Sequence, residues 1–211
     1  MKKALIIFVK APVPGTVKTR LQADMGADKT VEIYKSFVSA LTSQCAELQG
    51  VDRFLGCAPS TDHEFLCEIA KTNGMEMFSQ RGDTLGDRIF NAFKECAEKG
   101  YTEIVLIGSD SPSMPVDFIE QAFSRLKDHD LVIGPCFDLG LYLIGIGKEK
   151  VSELARTIEL DTGKDVSSIL EKADNLNIKV SMLPFWYDID HISDYQFLQI
   201  HLNYLNKKLP S

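Results

Sequence analysis

Residues 4–9 (ALIIFV) and 103–108 (EIVLIG) are apolar runs without alternation, each cut off by turn residues. A strand with one wet face alternates apolar and polar side chains, whereas an unbroken apolar strand must be covered on both faces. Together with DLVIG at 130–134 and LYLIGI at 141–146, these runs restrict the chain to a sheet held between helices. The intervening segments supply them. Val31, Tyr34, Val38, Leu41, Cys45 and Leu48 recur at helical steps across 28–48, and Leu85, Ile89, Phe93 and Cys96 do the same ahead of Gly100. Weaker patterns predict strands at 53–58, 75–78 and 178–183. They also predict helices at 63–71, 115–126, 149–156 and 165–173, and a last one inside WYDIDHISDYQFLQIHLNYL. The alternation predicts an α/β domain spanning residues 1–211 around a mostly parallel sheet, with no linker or repeat.

Bulk properties narrow the function classes. No apolar run approaches the ~20 residues of a membrane span. Met1-Lys2-Lys3 is followed by too short an apolar stretch for a secretory signal, so 4–9 reads as a buried first strand. The five cysteines are scattered, odd in number and without a C-x-x-C pair, the usage of reduced thiols in the cytoplasm rather than of a disulfide frame or a zinc site. A formal charge of −7 weighs against nucleic-acid binding. An acidic chain that takes a polyanionic ligand must concentrate its cations locally or recruit a divalent metal.

Candidate chemistry lies where open α/β sheets bind ligands, beyond the C-terminal ends of the strands. The first strand leaves through KAPVPGTVKTRL, where Pro12, Pro14 and Gly15 shape a turn ahead of Lys18, Thr19 and Arg20. Cations, a hydroxyl and backbone N–H groups at a helix start form a phosphate nest. The segment is not a Walker A loop, because Val17 stands where glycine must precede Lys-Thr. The plainer alternative is a surface turn with solvated cations. EIVLIG exits into SDSP, placing Asp110 after a buried strand, and WYDIDH carries Asp188 and Asp190 at a spacing that puts both on one side of an extended segment. Carboxylates from separate loops make an oxygen site suited to Mg²⁺ or Mn²⁺. For Asp110 alone, an Asx turn before Pro112 is the simpler account. The histidines show no ligand spacing, and no nucleophile elbow is present.

The ordered set FVKAPVPGTVKTRL, QRGDTLGDRI, VLIGSDSPSM, GPCFDLGLYLIG and DIDHISDY resembles the DUF2064 family, GT-A-like proteins related in fold to MobA-like and CofC-like nucleotidyltransferases. The resemblance covers residues 4–198. It implies a three-layer GT-A-like fold, with Lys10, Pro14, Gly15, Lys18, Thr19 and Arg20 in the nucleotide-phosphate loop. Gln80, Gly82, Leu85, Gly86 and Arg88 would lie near the base or sugar, Asp110 and Asp190 would hold Mg²⁺ or Mn²⁺, and Asp138 would stand as a general base by the acceptor. Three departures stand out, one being the absence of the family's Thr-Pro after the last aspartate, where His191-Ile192 stand. Leu139 replaces a family glycine, a change expected to exclude much of glycine's φ range, and Leu141 replaces a tyrosine.

Three functions fit. The first is a metal-dependent glycosyltransferase taking a nucleotide sugar and a small-molecule acceptor. The second is a nucleotidyltransferase acting on a small phosphorylated acceptor. The third is a non-catalytic nucleotide-binding protein. Apolar strands at a sheet edge could also pair two copies into a homo-oligomer.

Overall fold

The computed structural model describes residues 1–151 and 165–205. In chain order the elements are β1 (Lys3–Lys10), α1 (Thr19–Met25), α2 (Ala27–Ala46), β2 (Val51–Ala58), α3 (Glu64–Thr72), β3 (Glu76–Ser79), α4 (Leu85–Glu98), β4 (Glu103–Gly108), α5 (Val116–Arg125), β5 (Leu131–Pro135), β6 (Leu141–Gly147), α6 (Asp165–Asn175), β7 (Val180–Met182) and α7 (Ile192–Tyr204). The helix expected at 149–156 lies, beyond Val151, outside the described residues.

Seven strands form one sheet in the order β3-β2-β1-β4-β6-β5-β7. β6 runs antiparallel to both neighbours, and every other pairing is parallel. The expected three-layer α/β architecture is therefore present. The pleat sends Leu5, Ile7 and Val9 into one core with Leu21 of α1, Phe37 and Leu41 of α2, Leu66 of α3, Ile119 of α5 and Leu198 of α7. Ala4, Ile6 and Phe8 enter a second core with Ile89 and Phe93 of α4 and Ile169 of α6. Burying one side chain such as Phe37 contributes about 1.5–3 kcal/mol, so the two cores dominate the stability.

Local chemistry sets the details that matter for the cleft. Thr84 caps α4 by accepting from the Asp87 backbone N–H, while Asp87 accepts from the Thr84 backbone N–H, a reciprocal box that orients the helix start. At Gly134, any Cβ would come within 2.4 Å of the Tyr142 ring. That close approach lets the Tyr142 hydroxyl reach the Pro184 carbonyl at 2.8 Å and fasten the segment after β7. Farther along, the Ile189 backbone N–H donates to the Asp110 carbonyl at 3.0 Å, which brings the two acidic loops side by side.

Candidate functional site

β1 and β4, adjacent and parallel, end at Lys10 and Gly108, and their exit loops meet the segment after β7. Two adjoining hollows open there, of about 780 and 560 Å³. Arg20, Leu85, Asp110 and Asp190 line both, so they stand on the boundary.

The larger hollow collects the cations. Lys10, Lys18, Arg20 and Arg88 line it, with Thr16, Thr19, Gln80 and the Thr84 cap of α4. Its acidic groups are Asp83, Asp110 and Asp190. Gln80 is bound to the sheet, its amide donating to the Gly56 carbonyl at 2.8 Å and the Val9 carbonyl at 3.2 Å. Arg88 is aimed by a bond from Nε to the Gly82 carbonyl at 3.0 Å. Gly82 has φ 133, and a Cβ there would strike Asp87 at 2.5 Å, so this turn requires glycine. Pro14 and the positive-φ Gly15 form an exposed turn ahead of Lys18, and Gly86 is buried in the first turn of α4; none of the three lines either hollow.

The smaller hollow is acidic. Asp110, Asp138, Asp165, Asp188 and Asp190 line it, against Arg20 as the one cation among the described residues, beside the buried thiol of Cys136. Desolvation first, then the charges of Asp138 and Asp190, push Asp188 up to about 6. Asp138 Oδ1 accepts from the Gly140 backbone N–H at 2.9 Å.

At the boundary Lys18 Nζ lies 2.7 Å from Asp110 Oδ1 and 3.0 Å from Asp190 Oδ1. Arg20 binds the other oxygen of Asp190 at 2.8 Å. Burial alone would lower the Lys18 pKa, but the two carboxylates outweigh it and hold the ammonium above its ordinary value. For Asp190 burial pulls upward and is outweighed by Lys18 and Arg20, leaving the carboxyl below its usual range. Distant carboxylates thus converge on one cationic point. Two carboxylate oxygens from separate loops are a donor set that fits Mg²⁺ or Mn²⁺, and Lys18 Nζ stands where such an ion would be shared. Among the described residues a second cluster, Cys136, Asp138 and Asp188, brings three donor atoms within 4.8 Å of one another. It suits a hard cation less, because burial pushes the Cys136 thiol far up and keeps it protonated.

The expectation for Leu139 needs correction. It adopts φ 70, the conformation that glycine would supply, and its half-exposed side chain escapes the turn. Bonds from the Cys136 N–H to the Gly140 carbonyl and from the Val166 N–H to the Leu139 carbonyl hold the strained residue in place. Leu141 contributes to both hollows.

Sequence reasoning missed Asp165, Cys136 and Tyr34 as parts of the site. The Thr84–Asp87 spacing was a visible capping signal. A buried Asp165 on the first turn of α6 has no counterpart in the pattern.

The DUF2064 description, "Uncharacterized protein conserved in bacteria", matches residues 41–162. The chain belongs to the DUF2064 family. This DUF2064 protein also superposes on a crystal structure from Desulfovibrio desulfuricans G20, provisionally named a nucleotide-diphospho-sugar transferase. The TM-score is 0.87 at 30% identity, over 95% of this chain and 87% of that one. 4-Diphosphocytidyl-2C-methyl-D-erythritol synthase from Anaerococcus prevotii DSM 20548 matches with TM-score 0.64 at 12% identity, over 96% of this chain and 100% of that one. A CMP:2-keto-3-deoxy-manno-octonic acid synthetase, solved with CTP, gives 0.61 at 10%, over 96% and 99%. The last two likenesses carry the fold alone. No curated protein matches the DUF2064 chain.

Proposed function

We propose that this protein is a metal-dependent glycosyltransferase using a nucleotide-diphospho-sugar. One observation carries the reading: cations gather in the larger hollow, carboxylates in the smaller, and Asp110 and Asp190 stand between them. A donor's diphosphate belongs on the cationic side, beside Lys10, Lys18, Arg20, Arg88 and the capped start of α4. Asp110 and Asp190 would hold Mg²⁺ or Mn²⁺, which when bound neutralises charge on the departing nucleoside diphosphate. The acceptor lies in the smaller hollow, where Asp138 and Asp188 receive its proton. Desolvation, and then the charges of Asp138 and Asp190, make Asp188 more basic than an isolated carboxylate. The relative at 30% identity bears a name of the same chemical class.

Nucleotidyl transfer to a phosphorylated acceptor keeps the donor side and is disfavoured on the acceptor side, although Arg20 offsets part of the repulsion there. A phosphate about 4 Å from one carboxylate costs on the order of 4 kcal/mol at an effective dielectric near 20, and both Asp138 and Asp188 face that space. An uncharged or cationic acceptor avoids the cost.

The test is incubation with nucleoside triphosphates and, separately, with nucleotide sugars, with and without Mn²⁺. Release of a nucleoside diphosphate from a nucleotide sugar supports the reading. Pyrophosphate release assigns nucleotidyl transfer instead, and tight binding without turnover for any acceptor assigns a binding protein.

A further inference from the structure

Lys18 is unlike the other cations of the cleft. Its side chain is 4% exposed, whereas those of Asp110 and Asp190 are 49% and 32% exposed and open to the cleft. Its backbone is left-handed, at φ 48 and ψ 48, directly before α1. A non-glycine residue holds that conformation only when its surroundings enforce it. The strained residue therefore buries a charged side chain and ends its ammonium on the Oδ1 atoms of both aspartates. Lys18 also lines the cationic hollow. A second basin, of phosphate oxygens, is thus within its neighbourhood once a nucleotide enters.

An ammonium and a divalent ion cannot hold the same two oxygens, since they repel each other at that distance. We propose that Lys18 is an exchangeable internal counter-ion. It neutralises Asp110 and Asp190 until a nucleotide's phosphates draw it away, and only then do the carboxylates accept a divalent cation. Nucleotide and cation therefore bind with positive coupling, and by linkage each strengthens the other equally. The inference rests on the two-aspartate cation site proposed above. It adds that Lys18 sets the cation's dependence on nucleotide.

The experiment is Mn²⁺ titration followed by the electron paramagnetic resonance signal of free Mn²⁺, with UDP, GDP and CDP each as probe. Wild type, Lys18→Met, Lys18→Gln and Asp190→Asn are compared, the last reporting Mn²⁺ carried by nucleotide alone. The expected result is weak Mn²⁺ binding by wild type alone, tightened about tenfold or more by the nucleotide that binds, in the range of ordinary coupling. Lys18→Met or Lys18→Gln should bind Mn²⁺ without nucleotide about tenfold more tightly than wild type, and should show a rise in melting temperature on Mn²⁺ addition. Equal Mn²⁺ affinity in wild type and both Lys18 variants overturns the exchange while leaving the cation site standing. Mn²⁺ binding that survives Asp190→Asn unchanged overturns the two-aspartate site itself. The wild-type comparison with and without nucleotide needs no variant to fold: a nucleotide-independent affinity alone sinks the proposal.

Discussion

The Tyr34 hydroxyl lies 2.9 Å from Ser109 Oγ and accepts the Lys10 backbone N–H at 2.9 Å. One side chain of α2 thus ties the exit of β1 to the exit of β4, one residue before Asp110. Burial, helped by the Asp110 charge, raises the Tyr34 pKa, so the phenol stays protonated at neutral pH. Tyr34→Phe leaves the buried Ser109 hydroxyl and the part-buried Lys10 N–H without this partner and should cost about 1–3 kcal/mol, read from urea unfolding. It should also weaken nucleotide binding, because both lining loops lose their tie.

Removing the cations of the first loop tests their phosphate role. Lys18→Ala with Arg20→Ala should lower nucleotide affinity about tenfold or more, since each charged hydrogen bond contributes about 1.5–3 kcal/mol. Calorimetry showing unchanged affinity would exclude this loop from phosphate binding.

Asp188 supplies a pH signature. Its folded pKa is raised to about 6 from 3.8, mainly by desolvation. Between those values the folded state binds more proton than the unfolded one, so stability falls as pH rises through that window and the loss is complete above it. Asp188→Asn removes the loss. Discounted for solvent screening of this partly exposed group, the gain at pH 7.5 is about 1–2 kcal/mol. Thermal unfolding in EDTA should show the variant more stable at neutral pH, with the two proteins converging near pH 4. Equal melting temperatures at both pH values would contradict the shift.

Leu139 is a test of stored strain. Its left-handed backbone costs roughly 1–2 kcal/mol, whereas glycine loses about 0.5–1 kcal/mol more chain entropy on folding. Since the leucine side chain is 51% exposed, little burial is lost. Leu139→Gly should be neutral or stabilising by up to about 1 kcal/mol. A destabilisation above about 2 kcal/mol would mean that the side chain supports the turn in some other way.

Much of this protein was legible because burial writes itself into composition. ALIIFV and EIVLIG lack alternation since both faces of β1 and β4 are covered, and the helical steps from Val31 to Leu48 correspond to buried positions of α2 and its exit. The site was legible in part. Its phosphate-loop cations and both boundary aspartates stand out because they fall in strand-exit loops, where open α/β sheets bind ligands. The helix start expected beside Lys18 is that of α1, but its end at Met25 was not foreseen, because its seven residues bury only Leu21. β7 contracts to three residues at the sheet edge, where fewer partners enforce the ladder.

The order of apolar runs and turn residues determined an α/β sheet and the loops that carry its chemistry, because burial and backbone preference are local properties. The antiparallel direction of β6, the left-handed Leu139 and the meeting of Lys18 with Asp110 and Asp190 were decided only by tertiary structure. Lys18 and Asp190 are 172 positions apart; pairing of β1 with β4 brings the Lys18 loop beside Asp110, and the Ile189 N–H bond to the Asp110 carbonyl brings Asp190 there too. Coulomb energy depends on distance through space, and separation along the chain does not carry that distance.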